Sequence, residues 1–199
     1  KKMSALPHAS HWNPKHFIGH TLQLKWFISK YSKDMEKNAT RRTIQKGFEI
    51  WAKQIDISQF SLVHKCSTLE FEEAMDESNA DINIRWEDGA HGDPYHFDGE
   101  GDDNENVLAH TFYPGYKHSP LNGDIHFDDA EKWSVEGAEH AFFPYVLVHE
   151  IGHALGLQHS RSSLAIMNPH YKNLPMESIR LHVDDKCGVN WNIAGPTNW

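Results

Sequence analysis

An α+β fold is predicted for this chain, and three observations predict it. Over residues 80–87 apolar Ile82, Ile84 and Trp86 alternate with polar neighbours, the two-residue period of a half-buried strand. Ile44, Phe48, Trp51 and Ile55 recur instead at helical spacing. The length of 199 residues, with 39% hydrophobic and 24% charged side chains, suits one ordinary domain with a real core rather than a disordered chain.

Taken in order, residues 20–29 read as a first strand, alternating roughly in its first half. Asn38 is a plausible N-cap for a helix running to about Ile55. Residues 60–66 and 80–87 read as further strands, and residues 107–113 and 124–127 as short strands between loops carrying Pro and Gly. A second helix starts near Ala141 and tolerates Pro144 in its first turn. A third lies between Met176 and Val189, and residues 190–199, with Gly195 and Pro196, read as a tail. The chain thus divides into one domain over residues 1–190 and a C-terminal tail or linker over 191–199. No internal repeat or low-complexity segment is present.

The formal net charge of −9 argues against a nucleic-acid partner, which needs a basic surface. Acidic residues concentrate between positions 81 and 139, as a solvated face or as ligands for divalent cations. No run of eighteen apolar residues exists, so no membrane-spanning segment is expected. Lys1-Lys2-Met3 lacks an apolar h-region, so no signal peptide is expected in this chain. Cys66 and Cys187 are too few for a disulfide scaffold. They fit either a bridge closing a long loop or two free thiols, and neither has metal-ligand spacing.

The most specific stretch is His149-Glu150-Ile151-Gly152-His153-Ala154-Leu155-Gly156-Leu157-Gln158-His159-Ser160. On a helix, residues four apart share a face, so His149 and His153 can hold one ion. Gly156 can end that helix in a left-handed turn and return His159 as a third ligand. Three neutral nitrogens leave a fourth position for water, which is the arrangement of a catalytic zinc rather than a structural one. Glu150 can reach that water without being a ligand, and is the candidate general base.

These residues resemble the HExxHxxGxxH signature of the metzincin zinc endopeptidases, and Ser160 after the third His resembles the matrixin (matrix metalloproteinase) branch. Met167, in Ala165-Ile166-Met167-Asn168-Pro169, resembles the structural Met-turn methionine. His91-Gly92-Asp93-Pro94-Tyr95-His96-Phe97-Asp98-Gly99 resembles the matrixin HGDxxPFDG loop, with His96 in place of proline. Leu108-Ala109-His110-Thr111-Phe112 resembles LAHAF, and Gly123-Asp124-Ile125-His126-Phe127-Asp128-Asp129 resembles GDAHFDD. The likeness extends from about His11 to Asn190, although the loops after Asp98 and Gly115 are longer than in the family pattern.

The resemblance implies a twisted, mostly parallel five-stranded sheet with three helices, the metzincin (zincin-like) architecture. It implies two Zn2+ ions: one catalytic, on His149, His153 and His159, and one structural, on His91, Asp93, His110 and His126. It implies one to two or more Ca2+ ions, the first on Asp98, Asp128 and Glu131, the second on Asp81 and Asp124. Substrate would lie along Leu108 and Ala109 on an edge strand, with Pro169 and Tyr171 walling the S1′ pocket. Tyr145 implies a shallow S1′ favouring side chains such as Leu, or is simply core. No PRCGxPD-like segment is present, so the chain resembles a mature catalytic domain of a longer precursor that is secreted or tethered to the cell surface. Its expected partners are protein or peptide substrates, among them extracellular matrix components, and proteinaceous metalloproteinase inhibitors. The alternatives are another metzincin branch and a catalytically inactive binding domain that keeps the fold.

Overall fold

A computed structural model describes residues 2–5, 11–53, 68–101, 106–115, 121–136 and 141–194. Along them run β1 (Lys2–Ala5), β2 (Phe17–Ile18), β3 (Thr21–Lys30), α1 (Lys37–Ala52), β4 (Thr68–Glu73), β5 (Ile82–Glu87), β6 (Val107–Thr111), β7 (Ile125–Asp128), β8 (Trp133–Ser134), β9 (Ala141–Phe142), α2 (Phe143–Ala154) and α3 (Val183–Ala194).

The body of the sheet has the spatial order β4-β3-β5-β7-β6. β3 is parallel to β4 and β5, and β5 to β7, while β6 alone within this body runs antiparallel, to β7. This is the expected α+β architecture with a mostly parallel sheet. Two short strands extend it: β2 pairs antiparallel with the start of β3, and β1 pairs parallel with β6. Neither is long enough for its alternation to stand out in the sequence.

The differences from the sequence reading have local causes. α1 is capped by Glu36 rather than Asn38: the Glu36 carboxylate accepts from Asn38 N at 2.9 Å and Ala39 N at 2.7 Å, satisfying two orphan donors of the first turn. β4 was not anticipated, although Leu69 and Phe71 alternate with glutamates in Thr-Leu-Glu-Phe-Glu-Glu; the strand expected at residues 60–66 lies outside the described residues. α3 continues to Ala194, past the expected end near Val189 and into the stretch read as tail. Cys187 on α3 is exposed and free, and Cys66 lies outside the described residues.

The core lies between the sheet and the two longer-buried helices. Ile44, Phe48 and Trp51 form the buried face of α1, and the Trp51 indole donates to Val148 O at 2.9 Å, fastening α1 to α2. Every residue of α2 is buried, which is why no amphipathic stripe marks this helix in the sequence. Trp86 of β5 stacks on Phe127 of β7 with ring centroids 4.9 Å apart, and Phe143 closes against both rings. No helix of the described residues is long and apolar enough to cross a membrane.

Candidate metal centres and active site

The C-terminal half of α2 carries His149, Glu150 and His153 into the interior. Gly156 then takes φ 90°, a left-handed conformation that suits glycine, and Leu157 N bonds back to Gly152 O at 3.0 Å. This reversal delivers His159: its Nε2 lies 3.2 Å from His149 Nε2 and 3.2 Å from His153 Nε2. His149 Nδ1 donates to Ile166 O at 2.6 Å and His153 Nδ1 to Leu157 O at 2.7 Å. Since a carbonyl can only accept, these bonds fix both tautomers and leave each Nε2 as a bare lone pair. Burial drives the pKa of His153 down to about 3, and that of His149 well below its usual value, with the neighbouring imidazoles adding to the effect. Both lone pairs face His159 Nε2, so the three nitrogens converge on a point where one cation could take all of them. Nitrogens at about 2.0–2.1 Å from a tetrahedral zinc sit about 3.3–3.4 Å apart, so the donor set fits that ion.

The turn holding Met167 is fixed from beneath. Asp185, almost fully buried, accepts from Ile166 N at 2.9 Å and Met167 N at 3.0 Å, a role the sequence did not reveal. The turn and the helix meet at Gly152, where a Cβ would fall 2.3 Å from Met167 Sδ and 2.9 Å from Trp51 Cζ2. We therefore expect Gly152→Ala to destabilise the fold by about 1–3 kcal/mol through overpacking, despite alanine's better helix propensity. Thermal unfolding measures this, and an unchanged or raised Tm would show that Met167 repacks freely.

Glu150 is fully buried on the same helix. Thr111 Oγ1 on β6 donates to Glu150 Oε2 at 2.6 Å, whereas Oε1 is buried with no hydrogen-bond partner. Burial pushes the Glu150 carboxyl up to about 8, opposed by the Thr111 bond. The Tyr113 ring stands edge-on to His153 with centroids 5.6 Å apart. Thr111 and Tyr113 were both missed as site residues. The available signal was the period of β6: Thr111 follows His110 and so faces the opposite side of the sheet, toward α2.

A second cluster assembles on the other face. Asp93 Oδ2 lies 2.8 Å from His91 Nε2, 3.2 Å from His110 Nε2 and 2.8 Å from His126 Nδ1. His126 Nδ1 is also 3.2 Å from His110 Nε2 and 3.2 Å from His91 Nε2. Burial works to raise the Asp93 carboxyl, but bonds from His110, His126 and Tyr95 N outweigh it and hold it well below the usual range. Burial takes His126 down to about 3 despite Asp93. The β5–β7 register sets Arg85 beside His126, and Arg85 Nε donates to His126 Nε2 at 2.9 Å. Arg85 Nε also lies 3.8 Å from Glu87 Oε1.

These two are the groups of three or more His, Cys, Asp or Glu, among the described residues, whose ligand atoms all lie within 4.8 Å of one another. The carboxylates expected at calcium accept from backbone amides. Asp98 accepts from Val107 N, Asp128 from Gly99 N and Ala130 N, and Glu131 from Gly101 N. Asp128 is pushed up to about 6 by burial, with Glu131 and Asp98 adding to the shift. Asp124 accepts from Asn83 N and is pushed up to about 7 by burial, while Asp81 accepts from Lys25 N and pairs with His16.

Leu108 and Ala109 have fully buried side chains, and the backbone of β6 is paired with β1, in register Lys2↔Val107 and Ala5↔Thr111. Tyr145 is fully buried with its ring 5.9 Å from that of Tyr171, nearly perpendicular, and its hydroxyl has no partner. The Tyr171 hydroxyl accepts from Phe142 N at 2.7 Å, pinning the segment after Pro169 to the start of α2.

Residues 11–192 match the family described as Matrixin. The chain belongs to the matrixin family. Matrixins are, as a family, zinc-dependent endopeptidases. Among the relatives of this matrixin, matrix metalloproteinase-B of Caenorhabditis elegans is 50% identical over 195 residues, covering 92% of the chain. Karilysin of Tannerella forsythia is 35% identical over 88% of it, and human matrilysin 33% identical over 94%. The chain spans 37%, 34% and 60% of the lengths of these three proteins.

Proposed function

We propose that residues 1–190 act as the catalytic domain of an extracellular endopeptidase, secreted or tethered to the cell surface, that cleaves peptide bonds of matrix or other extracellular proteins. The observation that carries this reading is the convergence of three imidazole Nε2 atoms beside a buried carboxyl with one oxygen unpartnered. His149, His153 and His159 would hold the catalytic zinc, and His91, Asp93, His110 and His126 the structural one. Zinc on three histidines supplies Lewis acidity toward the scissile carbonyl and lowers the pKa of water from 15.7 toward about 7. Held ionised by the charge of that cation, Glu150 would take the proton of the attacking water at Oε1 and deliver it to the departing amine. Asp98, Asp128 and Glu131 would share a calcium, since a divalent cation would offset the burial of Asp128 and the repulsion from Glu131 and Asp98 that raise it. Asp81 and Asp124 would serve a second.

An extended peptide would pair with β6, whose backbone β1 now occupies, while Pro169, Tyr171 and Tyr145 would bound a pocket for a modest apolar side chain. The test is cleavage of a generic quenched peptide bearing Leu after the scissile bond. We expect turnover that a chelator abolishes and added zinc restores, and a lower KM when residues 1–10 are deleted. Chelator-resistant cleavage, or none from zinc-replete protein, overturns the protease reading; an unchanged KM after deletion overturns the β6 docking edge.

A further inference from the structure

We infer that Thr111 is a positioning residue for Glu150: its hydroxyl anchors one carboxyl oxygen and so aims the other at the attacking water. The inference rests on the reading of Glu150 as general base. Its observations are the 2.6 Å bond from Thr111 Oγ1 to Glu150 Oε2 and the orphaned, buried Oε1. Thr111 and Glu150 are both fully buried, so solvent does not compete for the anchored oxygen.

A carboxyl held only through its own side chain can rotate about its last torsion, a broad and soft one. One hydrogen bond to one oxygen removes that freedom and fixes where the second oxygen points. Threonine suits the task because branching at Cβ restricts its χ1, so the donor is itself rigid. Its backbone is held as well: Thr111 is paired with Ile125 of β7. The LAHAF pattern that this segment resembles has alanine at this position, which cannot donate, so the anchor is a feature of this chain's own sequence. Next to Thr111 on β6, His110 enters the second cluster on the opposite face, so one strand fixes both the aim of Glu150 and a ligand atom of the other centre.

The test compares wild type, Thr111→Val and Thr111→Ser in zinc-replete full chain, reading kcat and KM separately. Valine keeps the shape and removes the donor; we expect kcat to fall about ten- to a hundredfold, as for a lost bond to a charged group, with KM within about twofold. Thr111→Ser should recover most of the lost kcat, the remainder reflecting its looser χ1. A second readout is independent of turnover: chemical denaturation of wild type, Thr111→Val, Glu150→Ala and the double variant, closed as a cycle. Thr111→Val should destabilise less when Glu150 is already alanine. Unchanged kcat in Thr111→Val, equal loss in Thr111→Val and Thr111→Ser, or strict additivity in the cycle each overturns the proposal. Inactive wild type would fall on the protease reading instead, and the cycle would still decide whether the Thr111–Glu150 bond exists.

Discussion

Replacing Glu150 by alanine is expected to lower kcat/KM by about 10²–10⁴-fold, the usual contribution of a positioned general acid–base. Zinc content should not change. The histidines owe their orientation to Ile166 O and Leu157 O, and neither bond involves Glu150. Nor should the fold weaken greatly, because a carboxyl buried with one oxygen unpartnered is itself a cost of the native state. Glu150→Gln keeps the volume and the Thr111 bond but cannot take up a proton, so it should be nearly as inactive. Metal analysis beside a peptide assay checks both variants. Either one retaining wild-type turnover with normal zinc would remove Glu150 from the reaction, and a parallel loss of zinc would make it a structural support instead.

The parts of this molecule that were legible in the sequence are those set by local rules. Helical spacing places His149 and His153 on one face, and a left-handed Gly156 returns the chain to His159; both follow from geometry within a dozen residues. The alternation of Ile82, Ile84 and Trp86 marked β5 because one face is fully buried. The parts that stayed hidden depend on distant partners. Thr111 meets Glu150 across 39 positions, and Asp185 reaches the Met167 turn from a different helix. β1 pairs with the outer edge of β6, and four residues cannot signal such a pairing by composition. The cap of α1 was misplaced for a subtler reason: asparagine is the better N-cap residue in isolation, but the backbone entered the helix two residues earlier, where Glu36 was long enough to reach both amides.

Asp93→Ala is expected to remove one zinc equivalent and to lower Tm by roughly 10 °C. Asp93 Oδ2 is the common neighbour of three imidazoles, and all four side chains are almost wholly buried. Taking away the one anionic member of such a buried set costs about 3–5 kcal/mol, and each kcal/mol is worth about 2–4 °C in a domain of this size. The damage should spread along the sheet, since His126 lies within β7 and His110 within β6, while Asp93 also accepts from Tyr95 N in the loop between β5 and β6. At low temperature, where the variant is still folded, cleavage should persist, because His149, His153 and His159 are all ordered by α2 and the turn after it. Loss of a zinc with no change in Tm would show that the second centre does not support the fold. Loss of activity at full folding would show that β6 transmits its state to Glu150 through Thr111, which ties the two faces of the sheet more closely than their separate ligand sets require.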